Sequence, residues 1–276
     1  MKTRAVIAAE LRQALRAIEM TPIFLQTVRT GSITSDDLVR FLEDALAAAL
    51  EQVYLDFAER RGGLRSVRQL AGAERAILFR DISEGSLELV QGVAGRVREA
   101  WSDDKLSTEL RRAILLNGKD AKAISNYDEE LKTGDPKAKR RKLRDRRFAQ
   151  KADLSPARRA LMVNRYRDRL VAARTSSLAR DQARVADDAV EFARWIELFE
   201  DGAEEARGAR KFWINRQDGK VRDSHIYVAQ DYPDGLPLDE PFVTKWGLMR
   251  YPHDSQGHPK DRHGCRCRFE VRKASR

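Results

Sequence analysis

The chain has 276 residues, 42% hydrophobic and 35% charged, with 53 basic against 43 acidic side chains and a net charge of +10. That length holds one large core or two smaller ones, and the charge content suits elongated helices with much solvated surface better than a compact enzyme. No apolar run approaches the roughly 18–20 residues of a membrane span. The two cysteines, separated by one residue, exclude the disulfide framework of a small secreted protein, so a chain made and kept in a reducing cytosol is expected.

Helical spacing dominates the first two hundred residues. At the N-terminus, acidic and basic residues interrupt any continuous apolar stretch, and Ile7, Leu11, Leu15 and Ile18 share one face. This is an amphipathic helix and not a signal peptide. Thr34 followed by Asp37 resembles a capping box, after which Leu38, Leu42, Ala45, Leu46, Ala49, Val53 and Phe57 form an apolar stripe ended by Gly62-Gly63. Further helices are expected over 72–82, 84–101 and 104–117, the last stopped by Asn117-Gly118. Another runs from Asp120 to the break at Gly134-Asp135-Pro136.

The next stretch holds nine basic residues, Lys137, Lys139, Arg140, Arg141, Lys142, Arg144, Arg146, Arg147 and Lys151, against one acid, Asp145. It reads either as solvated linker or as a strip that contacts phosphates. Ser155-Pro156 begins a helical pattern that only Gly202 interrupts before Gly208, so one very long helix or two stacked ones is expected. Beyond Arg210 the composition turns to proline, glycine and aspartate, as in Asp231-Tyr232-Pro233-Asp234-Gly235. Segments 211–215 and 266–271 have strand character. The fold class expected is mostly α, with an extended helical N-terminal region and a small α+β C-terminal domain. The divisions are 1–136 (helical), 137–210 (basic segment and helical arm) and 211–276.

Both cysteines and all four histidines lie in that last segment. His225, His263, Cys265 and Cys267 would supply four zinc ligands, with His253 and His258 as spares, although Cys-x-Cys is not the spacing of common structural zinc knuckles. Asp218, Asp223, His225 and His263 are residue types used by metal-dependent nucleases, but no motif fixes them around a phosphate. The favoured reading is structural. Packed thiols and surface histidines are expected, Arg222 pairs with a carboxylate such as Asp254, His225 bonds a loop carbonyl, and Trp213, Phe242 and Trp246 form the core. No cofactor and no catalytic residue are expected; zinc is the alternative.

These residues also resemble the C-terminal domain of phage head morphogenesis proteins, the phage Mu F-like minor head proteins. The resemblance is carried by Trp213, Asp218, Val221, Arg222, His225, Phe242, Tyr251, Pro252, Asp254, Cys265, Arg266 and Cys267 as an ordered set. It extends over about 117–270 through Leu143–Phe148, Met162–Tyr166 and Ala173–Thr175. Gly264 stands where the family usually has asparagine. The resemblance implies a non-enzymatic minor structural protein of a tailed-phage head, assembled in the host cytoplasm and carried in the virion. It further implies association with the portal protein and major capsid protein at the portal vertex, a few copies with a ring among the arrangements open, and support of head assembly and DNA packaging or delivery. Double-stranded phage DNA would be met by the basic strip without sequence preference. A membrane is not among the expected partners. The alternative function is a metal-dependent DNA-processing or toxin-like enzyme using the C-terminal His/Asp cluster.

Overall fold

Local sequence signals fix most helix ends. The computed structural model describes residues 2–97, 101–146, 154–216, 219–262 and 264–273. Its helices are α1 (Arg4–Arg16), α2 (Pro22–Thr30), α3 (Ser35–Arg60), α4 (Val67–Ala94), α5 (Asp103–Ile114), α6 (Gly118–Thr133), α7 (Lys137–Arg140) and α8 (Pro156–Glu200). Before α3, the Thr34 amide donates to Asp37 Oδ2 at 2.9 Å while the Asp37 amide donates to Thr34 Oγ1 at 3.2 Å, the reciprocal box expected there. Asn117 and Asp120 build the same box for α6, which Gly134 ends with a left-handed φ of 72°. The helices expected over 72–82 and 84–101 are instead the single α4, which ends at Ala94; residues 98–100 of the second expectation lie outside the described residues. Nothing between the two stretches breaks a helix, and the Ser83 hydroxyl lies 2.9 Å from Ser35 Oγ instead of capping a new start. Of the two arrangements open after Ser155, one helix is observed: α8 has 45 residues, about 68 Å at 1.5 Å per residue. Among the described residues no helix is long and apolar enough to cross a membrane.

The tail is a small antiparallel α+β assembly. Strand β1 (Arg210–Ile214) lies between β2 (Leu236–Pro237) and β5 (Arg268–Arg272), with Trp213 opposite Phe269. A hairpin of β3 (Phe242–Thr244) and β4 (Gly247–Met249) and the helices α9 (Asp223–Asp231) and α10 (Pro259–Arg262) complete it. The chain is therefore mostly α with a small α+β C-terminal region.

Two compact units are present. One comprises Met1–Gln13, Ala48–Ile77 and Ala179–Arg276. The segment 211–276, expected to stand as a domain of its own, belongs here with helical partners. Asp188 of α8 meets His253 at 2.6 Å, and Ser255 donates to Glu74 of α4 at 2.7 Å. Tyr251 stacks at 4.8 Å on Phe192. A tail of this size gains apolar cover from α8 that it cannot supply itself. In the same unit Arg4 and Arg61 converge on the buried Asp187.

The other unit comprises Ala14–Ala47 and Leu78–Leu178. Phe24 and Phe41 stack there at 4.1 Å, and the buried Leu106 and Leu110 line the inner face of α5. A second cluster joins Tyr127, Leu131, Ala138, Met162 and Tyr166, with Leu143 packed against it.

Candidate functional site

Alternation along β1 turns Lys211 and Trp213 inward, where the Trp213 ring meets His225 at 5.1 Å and Phe242 at 5.4 Å, both edge-on. Arg222 is the extended residue before α9, and its carbonyl accepts from the His225 amide at 2.9 Å, which fixes the imidazole one turn inside the helix. His225 is 1% exposed. Its Nδ1 lies 3.4 Å from Cys265 Sγ and 3.6 Å from Cys267 Sγ. On the other side, Nε2 is 3.3 Å from Asp261 Oδ1, and the Thr244 hydroxyl donates to Asp261 Oδ2 at 2.6 Å. A carboxylate oxygen facing Nε2 accepts, which assigns the ring proton to Nε2 and turns the Nδ1 lone pair towards the sulfurs.

The two thiols differ. Cys267 is held below the ordinary thiol range by the hydrogen bond from Cys265 above all, and further by His225 and by the Trp213 N–H, with burial pulling the other way. Cys265 is pushed up by the same pairing and by burial. Trp213 Nε1 is buried without a partner of normal hydrogen-bond geometry, so a negative sulfur beside it relieves an otherwise unmet donor. Beside the cluster lies a cavity of about 80 Å³ lined by Lys220, Val221, Arg222, His225, Gly264, Cys265, Arg266 and Cys267.

The tail departs from expectation in four places. Arg222 donates to the Asp261 carbonyl at 3.0 Å, while Asp254 is gripped by Arg250, whose Nε and Nη2 lie 2.9 and 2.7 Å from its two oxygens. The local partner wins because the Asp254 turn also draws the Arg250 amide, at 2.9 Å, onto the same carboxylate. His225 bonds no loop carbonyl, being taken up by Asp261 and the thiols. His253 is neither a surface residue nor a spare ligand: it is 3% exposed, has a φ of 68°, and spans from Asp188 to the Cys265 carbonyl at 2.8 Å. Since that carbonyl only accepts, Nε2 donates to it, and Nδ1 shares a further proton with Asp188, whose pKa burial raises. Trp246 is 41% exposed and contributes no core; it stacks on the exposed His258 and lies under Lys260 Nζ at 4.0 Å.

Of the residues that carry the resemblance, Trp213, His225, Phe242, Tyr251, Pro252, Asp254, Cys265 and Cys267 are buried, and Val221, Arg222 and Arg266 are half-buried. Asp218 and His263 lie outside the described residues, as do Arg147 and Lys151 of the basic strip. Asp261, Thr244 and Asp188 complete the arrangement, and no spacing in the sequence marks them.

In the basic segment Lys137, Lys139, Arg140, Lys142 and Arg146 are exposed. Arg141 is not part of that surface. It grips Glu130 through two bonds of 2.7 and 2.6 Å and lies over the Tyr127 and Tyr166 rings. Arg144, half-buried, donates to the Lys139 carbonyl at 2.6 Å. Asp145, 2% exposed, is held by Arg165 at 3.0 Å and Arg169 at 3.3 Å. The run thus divides into residues that fasten the segment and residues that face solvent. No family model matches the chain, and neither a curated protein nor a solved structure does.

Proposed function

We propose that the chain is a minor structural protein of a tailed-phage head. In this reading it sits at the portal vertex, contacts the portal and major capsid proteins, and supports head assembly and the packaging or delivery of DNA. One observation carries the reading: residues on which the resemblance rests build a packed core cluster, and the opening that six of them line is small. Trp213, Phe242, Cys265 and Cys267 share a core cluster, and the cavity beside it measures about 80 Å³. Small-molecule sites run to about 300–1,000 Å³, several times the size of this cavity. An ordered residue set that maintains a folded module is what a docking domain requires. The test is to purify particles of the phage or prophage that encodes the chain, and to locate the chain by mass spectrometry and by density at the portal vertex. Its absence from assembled heads, together with unchanged DNA-filled particle yield when the gene is deleted, overturns the reading.

Binding to DNA falls to Lys139, Arg140, Lys142 and Arg146, exposed cations on a segment anchored by Arg141 and Asp145. Reversing these four charges should weaken binding to any duplex and reduce the slope of log affinity against log salt by about 0.9 for each phosphate that is no longer neutralised. Fluorescence anisotropy over a salt series measures both. Unchanged affinity and slope would leave the segment as solvated surface.

A further inference from the structure

His225, Cys265 and Cys267 place three ligand atoms, all buried, within 4.8 Å of one another. A tetrahedral zinc ion with Zn–S of about 2.3 Å and Zn–N of about 2.0–2.1 Å sets its nitrogen and sulfur ligands about 3.5–3.6 Å apart. The Nδ1–Sγ separations here are 3.4 and 3.6 Å. Hydrogen bonding alone explains this less well. With Nε2–H directed at Asp261, Nδ1 has a single lone pair, which accepts one good hydrogen bond and not two. A cation placed where that lone pair and both sulfurs converge satisfies all three at once.

The surroundings agree. Asp261 orients the imidazole through Nε2 and is itself held by Thr244, the carboxylate–histidine–metal relay that fixes the tautomer and raises the ligand's basicity. Two thiolates and an imidazole select zinc over magnesium or calcium, which take oxygen ligands.

We propose that His225 Nδ1, Cys265 Sγ and Cys267 Sγ, the three ligand atoms that converge among the described residues, bind one Zn²⁺, and the cavity beside them has room for a solvent molecule as a further ligand. The cavity beside Arg222 and Arg266 exceeds the about 30 Å³ that one water occupies in the liquid. With both cysteines bound as thiolates, their two charges balance the ion, so the buried site is neutral. Its effect is to fasten α9 to the approach to β5. The site rests on these residues alone and stands whether or not the chain belongs to a phage head.

The test begins with native protein purified without chelator from zinc-supplemented medium. Metal analysis should give about one equivalent of zinc per chain. Replacement by Co²⁺ should produce sulfur-to-cobalt charge-transfer absorption and the strong visible bands of a tetrahedral site. Cys267→Ser should abolish the charge-transfer signal or reduce it by half or more. Asp261→Asn should retain the stoichiometry and lower zinc affinity about 10–100-fold, whereas His258→Ala, outside the cluster, should change nothing. Folded native protein, verified by circular dichroism, that holds no stoichiometric zinc and gives no cobalt–thiolate absorption overturns the proposal without requiring any variant to fold.

Discussion

Replacing Lys211 by methionine removes a charge the fold carries at a penalty while keeping most of the side chain's length. Lys211 has no exposed area, and its Nζ donates to the Leu238 carbonyl at 2.9 Å and lies 5.0 and 5.5 Å from the Phe192 and Phe242 ring centres. Burial pulls its pKa from 10.5 to about 8, against the raising influence of Asp239 and Asp254. At about 1.4 kcal/mol per decade of proton affinity, that gap amounts to about 3 kcal/mol. The folded value lies below the unfolded one. Below pH 8 both states hold the proton and the penalty is present in full. Between pH 8 and 10.5 the unfolded state binds more protons, so stability rises with pH; above that window the penalty is gone. Methionine removes this dependence but leaves the Leu238 carbonyl unpaired, at about 1–3 kcal/mol. The variant should therefore match or exceed the wild type at pH 7 and fall behind it by up to about 2 kcal/mol at pH 10, where about 1 kcal/mol of the penalty remains. Urea unfolding followed by tryptophan fluorescence at both pH values gives the difference, in which the other titrating groups cancel. A wild-type-minus-variant gap that stays constant to within about 0.5 kcal/mol across that range refutes a buried ammonium.

Gly235→Ala should destabilise by at least about 2 kcal/mol, because a Cβ there would lie 2.7 Å from the Lys211 carbonyl on a backbone with φ of 68°; thermal melts detect it. Asp145→Asn removes the carboxylate that holds Arg165 and Arg169 and should cost about 2–3 kcal/mol, measured by the same melts. Glu74 is raised above the ordinary carboxylate range by burial, so the folded protein binds the extra proton and stability falls as pH rises through that window. Glu74→Gln should accordingly melt above the wild type at pH 7 and converge with it at pH 4, by calorimetry.

Helix ends were legible because their signals are local: Asn117 caps α6 with its own third residue, and Gly134 ends it through its own φ. The continuity of α4 was not, because Ser83 is a capping residue by type and only Ser35, 48 positions away, gives its hydroxyl another use. In the tail, sequence order brought His225, Cys265 and Cys267 under suspicion together, and their convergence follows from β1 pairing with β5. The supporting carboxylates were invisible in a chain where a third of the residues are charged: Asp261 differs from any surface aspartate only by its burial. Placing Trp213 in the core selected the inward face of β1, but nothing in the sequence showed that Lys211 shares its burial. The face bearing a lysine is the one buried, a choice that polarity alone argues against.

Arg4 and Asp187 are partners 183 positions apart, and Glu74 waits 181 positions for Ser255. During synthesis at about 5–20 residues per second, the first helix therefore leaves the ribosome many seconds before the residues that anchor it exist. The segments of the second unit are all made in that interval. The unit holding the tail closes last, and until then its early helices present apolar surface with nothing to cover it. A nascent chain stalled short of the Tyr251–Ser255 turn should consequently be a chaperone client and a protease substrate along α1 and the second half of α3.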